Sequence, residues 1–279
     1  MKVKVYAKLN LSLNVFPKQG SFHPIDSVVT SINLFDQVEV NARKDKKVVI
    51  KGFMPTKENI AYKTAVAFMS QFDTNGVTIT IKKSIPVGSG MGGSSADSAG
   101  VIYCMCNLFN VDIGCQKVSD LCASLGSDIS FMLHGGLARM QGKGDDVTFG
   151  QCPDNLFFAL TCFSVSMSTA DVYQAFDALP AQPHVDCAKM FQLLCDGVIP
   201  FEMQNNNLQS ACQSLTAYAQ GYLHCARDLG YLPNMTGSGS AYYVWCNNQQ
   251  DAESVAEQLK NRGFSCVAVH SVPHGIEQI

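Results

Sequence analysis

The stretch PVGSGMGGSSAD, Pro86–Asp97, sets Gly88, Gly90, Gly92 and Gly93 between two strongly patterned segments. Before it, GVTITIKKSI (Gly76–Ile85) alternates apolar and polar residues at the period of a strand. After it, SADSAGVIYCMCNLF (Ser95–Phe109) is free of proline and rich in alanine, serine and large apolar residues, the pattern of a buried helix. The stretch is therefore a strand-to-helix turn. A flexible linker has no reason to end at a helix start. Bare glycines let a polyanion reach the backbone, and the unpaired N–H groups of a first helical turn then point at it, with the helix dipole favouring negative charge. The residues read as a phosphate-binding loop.

The rest of the chain narrows the setting. At 279 residues with 47% hydrophobic content, it can bury a large core. A formal net charge of −3 with no basic face argues against nucleic acid as a partner. The apolar runs fall well short of a membrane span. MKVKVYAKLNLSLNVF alternates like a strand from its third residue, so neither a signal nor a transit peptide is expected, and the expected location is cytoplasmic. The 12 cysteines contain no Cys-x-x-Cys pair and sit mostly inside apolar patterns, as at Cys122, Cys162, Cys195, Cys246 and Cys266. They read as reduced, small hydrophobic residues, and no protein-built metal centre is expected.

The first third reads mainly as strands, at Val3–Lys8, Leu9–Phe16, Ser27–Leu34, Gln37–Arg43 and Val48–Phe53, with turns at PKQGS, LFD and RKDKK. A helix over Lys57–Phe72 precedes the strand and glycine turn, and a second helix near QKVSDLCASLG and a hairpin around Gly142–Gly144 follow. The second half predicts a strand at Leu156–Phe163 and helices at Ala170–Ala178, Cys187–Cys195 and Leu208–Leu229. A strand AYYVWC, a helix Gln249–Arg262 and a strand FSCVAVHSV complete it. The class is α+β with two lobes, expected over residues 1–150 and 151–279.

Familiar phosphate loops fail as explanations. No lysine lies between Pro86 and Lys117, which removes a Walker loop. Gly88, Gly90 and Gly93 match Gly-x-Gly-x-x-Gly, but the acidic residue that would follow is met only by Asp112, in a turn. The protein-kinase motifs His-Arg-Asp and Asp-Phe-Gly are absent. A fourth pattern, Pro-x-x-x-Gly-Leu/Met-Gly-Gly/Ser-Ser-Ser/Ala, does match. It resembles the phosphate loop of the galactokinase, homoserine kinase, mevalonate kinase and phosphomevalonate kinase (GHMP) superfamily. YAKLNLSLNV with FHPIDSVVTSINLFDQVEV, LGSDISFMLHGGLARMQGKGDDV, STADVYQAF and MTGSGSAYYVW resemble, in order, segments of the 4-diphosphocytidyl-2-C-methyl-D-erythritol kinase family.

That resemblance implies a two-lobed fold, ribosomal-protein-S5-like in the N-terminal lobe and ferredoxin-like in the C-terminal lobe. It also implies ATP- and Mg²⁺-dependent phosphorylation of a hydroxyl on a cytidine diphosphate alcohol, by a monomer or weak homodimer. Asp128 would accept the hydroxyl proton and Lys8 would hold Asp128 and the hydroxyl in register; a helix N-cap is the structural alternative for Asp128, a solvated strand face for Lys8. ATP would meet Asn59, Lys83 and the loop residues Pro86, Val87, Gly88, Ser89, Gly90, Met91, Gly92, Gly93, Ser94, Ser95, Ala96 and Asp97. Ser95 stands as a Mg²⁺ or phosphate ligand or as a helix cap. Asn10 and His23 would read the cytosine edge, Phe22 and Tyr173 would stack on its faces, and Thr169 would lie near. Thr236–Ser240 would border the phosphates or form a plain turn. One departure matters: QGSFH stands where the family carries Asp-Gly-Tyr-His. Alternatives are another kinase of the superfamily, acting on homoserine or mevalonate, and a catalytically silent nucleotide-binding relative.

Overall fold

A computed structural model describes residues 1–151, 153 and 156–279. Its sheet grows from two long antiparallel strands, β1 (Lys2–Val15) and β2 (Ile25–Ala42). The sequence divides each of them into two, but both are continuous. Register shifts fall between Tyr6 and Ala7, opposite Ile32–Phe35 at the edge of LFD, and between Asn10 and Ser12, while Lys8 and Leu9 pair regularly with Ser31 and Thr30. LFD holds no glycine or proline to turn the chain, and its Asp36 finds a buried partner rather than solvent.

β3 (Val48–Gly52), α1 (Ile60–Phe72) and β4 (Val77–Lys82) follow, with β4 parallel to β3 and antiparallel to β2. Next come α2 (Gly93–Leu108), α3 (Gln116–Leu125), the short α4 (Ile129–His134), and the hairpin β5 (Leu137–Gly142) and β6 (Asp146–Gly150), which adds to β2. The second half runs β7 (Phe157–Thr161), α5 (Thr169–Asp177), α6 (Cys187–Cys195) and β8 (Asn205–Asn206). It continues through α7 (Leu208–Leu215), α8 (Gln220–Asp228), β9 (Pro233–Met235), β10 (Tyr242–Cys246), α9 (Gln249–Asn261), β11 (Cys266–Val272) and β12 (Ile276–Gln278). The single helix expected over Leu208–Leu229 is two, because Thr216 takes an extended backbone with φ −161°.

The strand order β12-β1-β2-β11-β7-β10-β9 makes β11 the seam between the halves, antiparallel to β2 through Ser271 and Val272 and to β7 over its length. One apolar core lies among β1, β2, β4 and α1–α4 and extends to Phe158, Tyr243 and Trp245; another joins Leu13 and Val15 to Tyr222, Tyr242 and Leu259. Burial pushes the thiols of Cys104 and Cys106 up to about 12, as expected of cysteines serving as apolar packing.

α2 lies directly on the long strands, and a glycine allows it. A Cβ at Gly100 would stand 2.6 Å from a Val5 methyl and 3.2 Å from the Val38 Cβ. Gly100→Ala would gain about 1 kcal/mol in a free helix, but here overpacking of about 1–3 kcal/mol opposes it. We expect a net loss of stability, measurable by urea denaturation; a stabilised variant would show that the helix does not seat this closely.

Candidate active site

The phosphate-loop geometry starts at the backbone. Gly88, Gly90 and Gly92 have φ of +68°, +79° and +71°, a region that disfavours side chains. A Cβ would fall 2.2 Å from the Thr236 carbonyl oxygen at Gly90, and 2.1 Å from the Met132 methyl at Gly92. The Gly92 position faces Met132 and Lys8, so this glycine is required for packing behind the loop rather than for space in front of it. Gly92 is also the N-cap of α2 and offers no side chain, which leaves the first-turn N–H groups for a ligand.

The loop is tethered on both sides. The Lys8 N–H donates to the Met91 carbonyl at 3.1 Å, and the N–H groups of Ser240 and Ala241 donate to Gly88 and Ser89 at 3.3 and 3.1 Å. Thr236–Ser240 is thus a turn that also borders the loop. Together these segments enclose a cleft of about 560 Å³. Lys8, Asn10, His23, Asn59, Lys83, Asp128, Thr169 and Tyr173 line it, as do all the expected loop residues save Ala96, which is buried in α2.

Lys8 and Asp128 meet on its floor, with the Lys8 Nζ 3.9 Å from the Asp128 Oδ2. Lys8 is buried, and desolvation lowers its affinity for a proton while the Asp128 charge partly restores it. Asp128 occupies the N-cap position of α4 but makes no capping bond, so its carboxylate is left facing the cleft. Lys8 also donates to the Asn10 Oδ1. That oxygen further accepts from the Gly237 N–H at 2.9 Å, and the Asn10 amide donates to the Ser27 Oγ at 2.8 Å. Asn10, expected to read a base, is instead largely engaged in holding Lys8 and the 236–240 turn.

A second cavity of about 800 Å³ adjoins the first and shares His23, Ser127, Lys143, Thr169 and Tyr173 with it. Phe22 lines this cavity, with the Lys143 ammonium 4.8 Å from its ring centroid. The altered QGSF turn closes on itself, the Gln19 N–H donating to the Phe22 carbonyl at 2.8 Å around a left-handed Gly20. His23 packs against Tyr173 with ring centroids 5.1 Å apart. Its Nδ1 lies 3.0 Å from the Phe16 carbonyl oxygen and its Nε2 3.3 Å from Asp177, so both ring nitrogens are engaged within the protein. Burial, aided by Asp128, pushes the Tyr173 phenol up to about 12, and Thr169 is paired with the Ser238 hydroxyl at 3.0 Å. Asn59 caps α1 by accepting from the Ala61 N–H at 2.9 Å.

Residues not anticipated from the sequence also line these cavities: Phe53, Met54, Ser127, Lys143 and Asp177. Among the described residues no cluster of three or more His, Cys, Asp or Glu side chains could hold a metal ion by itself.

With this geometry in place, comparison with known proteins is decisive. The GHMP kinases N terminal domain matches residues 59–136, and the GHMP kinases C terminal domain matches residues 200–265. A Desulfitobacterium hafniense 4-diphosphocytidyl-2-C-methyl-D-erythritol kinase is 30% identical over 97% of this chain and 95% of its own. This chain belongs to the GHMP kinases. A Clostridium perfringens protein of the same name is 28% identical over 94% of each chain. The crystal structure of a 4-(cytidine 5'-diphospho)-2C-methyl-D-erythritol kinase superposes on this GHMP kinase with a TM-score of 0.82, covering 98% of this chain and 100% of that one at 24% identity. No helix among the described residues is long and apolar enough to cross a membrane.

Asp97 gives a pH test of the loop's surroundings. Desolvation raises its carboxyl to about 7 from an ordinary 3.8; Lys83 opposes the rise and Asp36 adds to it. A raised carboxyl contributes stability that is complete below the unfolded value and lost as pH rises through the folded one. The stability of Asp97→Asn relative to wild type should therefore improve from about pH 5 to about pH 8. Urea denaturation at both values checks this, and a constant difference would contradict it.

Proposed function

We propose that this kinase transfers the γ-phosphoryl group of ATP to a hydroxyl on the methylerythritol part of 4-diphosphocytidyl-2-C-methyl-D-erythritol, in the cytoplasm, as a step toward isoprenoid precursors. The observation that carries the reading is the position of the uncapped Asp128 carboxylate, beside buried Lys8 and opposite a helix N-terminus free of side-chain caps. Phosphoryl transfer asks a protein mainly to position the reactants and to balance charge. In this reading the first turn of α2 and the loop N–H groups hold the triphosphate. Asp128 accepts the acceptor hydroxyl's proton, and the Lys8 ammonium 3.9 Å away keeps that carboxylate aimed.

Mg²⁺ usually takes one or two protein oxygens together with substrate phosphates. The donor set fits that arrangement, with the Ser95 hydroxyl at the start of α2 and the Asp128 carboxylate both on the cleft and no all-protein cage among the described residues. When bound, the ion would neutralise charge on the phosphates. Asn59, Phe53 and Met54 mark the adenine end of the cleft. The adjoining cavity supports the cytidine end: Phe22 and Tyr173 would sandwich the base, with His23 held rigid beside it by Phe16 and Asp177. We also propose the division of the chain near residue 150, where β6 ends, with the C-terminal half contributing Thr169, Tyr173 and the 236–240 turn to the cleft.

Asp128→Asn should retain ADP binding and lose about 10²- to 10⁴-fold in kcat, because an amide cannot take the proton. Single-turnover kinetics and calorimetry measure the two, and a near-wild-type kcat would return Asp128 to a purely structural place. The cytidine diphosphate alcohol should be preferred over an analogue that lacks the base by roughly ten- to a hundredfold in kcat/KM, since stacking between Phe22 and Tyr173 is lost with the base. Equal use of both, or turnover of homoserine or mevalonate instead, would overturn the acceptor assignment.

A further inference from the structure

Asp36 lies on β2, and its side chain is fully buried. It does not line the cleft. Yet its carboxylate meets both chain segments that frame the phosphate loop. One oxygen accepts from the N–H groups of Ser84 and Ile85 at 2.6 and 2.8 Å, immediately before the loop starts at Pro86. The other accepts from the Lys83 ammonium. Lys83 in turn donates to the Asp97 Oδ2 at 2.8 Å, one turn into α2, and lies 3.4 Å from the Gly93 carbonyl oxygen at the start of that helix.

An ammonium has three hydrogens. Asp36, Asp97 and the Gly93 carbonyl account for three acceptors, so Lys83 has no donor left over for a phosphate. The cluster also sets two acidic side chains against one ammonium, which leaves it no net positive charge to attract an anion. Its value to nucleotide binding must then be geometric. The bonds run from β2 to the end of β4 and on to the first turns of α2, clamping the loop at both ends.

We propose that Asp36 is a positioning residue for nucleotide binding, acting through Lys83 and Asp97 to fix the start of α2 relative to the loop. The inference rests on the kinase reading above, in that the loop is taken to hold a nucleotide triphosphate. Breaking the clamp loosens the first-turn N–H groups that the phosphates need and leaves the acceptor cavity, which is built from other elements, unchanged.

The test uses the full chain and reads ADP affinity by calorimetry alongside steady-state kinetics. Asp36→Asn keeps an oxygen for the Ser84 and Ile85 N–H groups but sets an amide against the Lys83 ammonium. It should weaken ADP and raise the KM for ATP by about tenfold or more, with the KM for the acceptor alcohol held within about twofold. Lys83→Met should do the same. The double variant should bind ADP no more weakly than the weaker single variant, because the residues act as one unit. If Asp36→Asn alone does not fold, the double variant, which leaves no buried charge opposite an uncharged partner at this contact, is compared with Lys83→Met. Equal ADP affinity in those two supports the clamp. Additive losses, wild-type ADP affinity in Asp36→Asn, or parallel loss of acceptor and ADP binding would each overturn it. Wild-type protein that binds no ADP would instead refute the kinase reading on which the proposal rests.

Discussion

The hydrogen bond from the Lys8 N–H to the Met91 carbonyl puts the glycine loop and the Lys8–Asp128 pair in one frame. Met91 sits between Gly90 and Gly92, both in the left-handed region, so its carbonyl can turn toward β1 while the flanking peptides curve around the cleft. Lys8 then sends its own side chain toward Asp128 and Asn10. A strand that makes a backbone bond to the loop and also supplies the lysine fixes where the Lys8 side chain stands relative to the loop without a separate device. Positioning of reactants accounts for a large part of many rate enhancements, and in the reaction proposed above this bond is the device that would supply it.

Burial explains the choice of side chains around this frame. A buried lysine is stable as a cation only with close partners, and Lys8 has two: the Asp128 charge and the Asn10 oxygen. Asn10 belongs to a chain of bonds that continues to Gly237 and Thr236, so the lysine's orientation depends on a turn far away in sequence. Tyr243 strengthens the same seam, donating to the Asn10 carbonyl at 2.9 Å and accepting from Asn234. The two halves of the chain are therefore joined by buried polar bonds at Asn10, the residue that holds the Lys8 ammonium, as well as by the β11 pairing.

The strand-to-helix turn, the class and most elements were legible because they rest on local pattern: period-two alternation before Pro86, a proline-free apolar run after it, and glycines where side chains would collide. Nearly every residue expected at the site lines one of the two cavities for the same reason, since the motifs carry them. What escaped depends on tertiary partners. LFD looks like a turn when Asp36 is assumed to seek water; only the approach of Lys83 makes it a strand residue. The Leu208–Leu229 segment has helical composition throughout, and nothing local announces the extended Thr216. Asn10 and His23 carry the right chemistry to read a base, but that chemistry is already engaged by Lys8, Ser27, Phe16 and Asp177.

The QGSFH departure illustrates how the fold absorbs a change in motif. The Asp-Gly pair of the related families is gone, yet the chain still reverses, because Gly20 takes the left-handed conformation and Gln19 bonds to Phe22 across the turn. Phe22 keeps an aromatic face on the adjoining cavity, and the Lys143 ammonium stands over that ring. Asp177 on α5 supplies the acidic partner for His23. The carboxylate beside the histidine thus comes from the same helix as Tyr173, so Tyr173 and the group that orients His23 sit on one rigid element. A turn anchored in this way has less need of an acidic residue of its own, so the altered motif still sets Phe22 and His23 on the cavity.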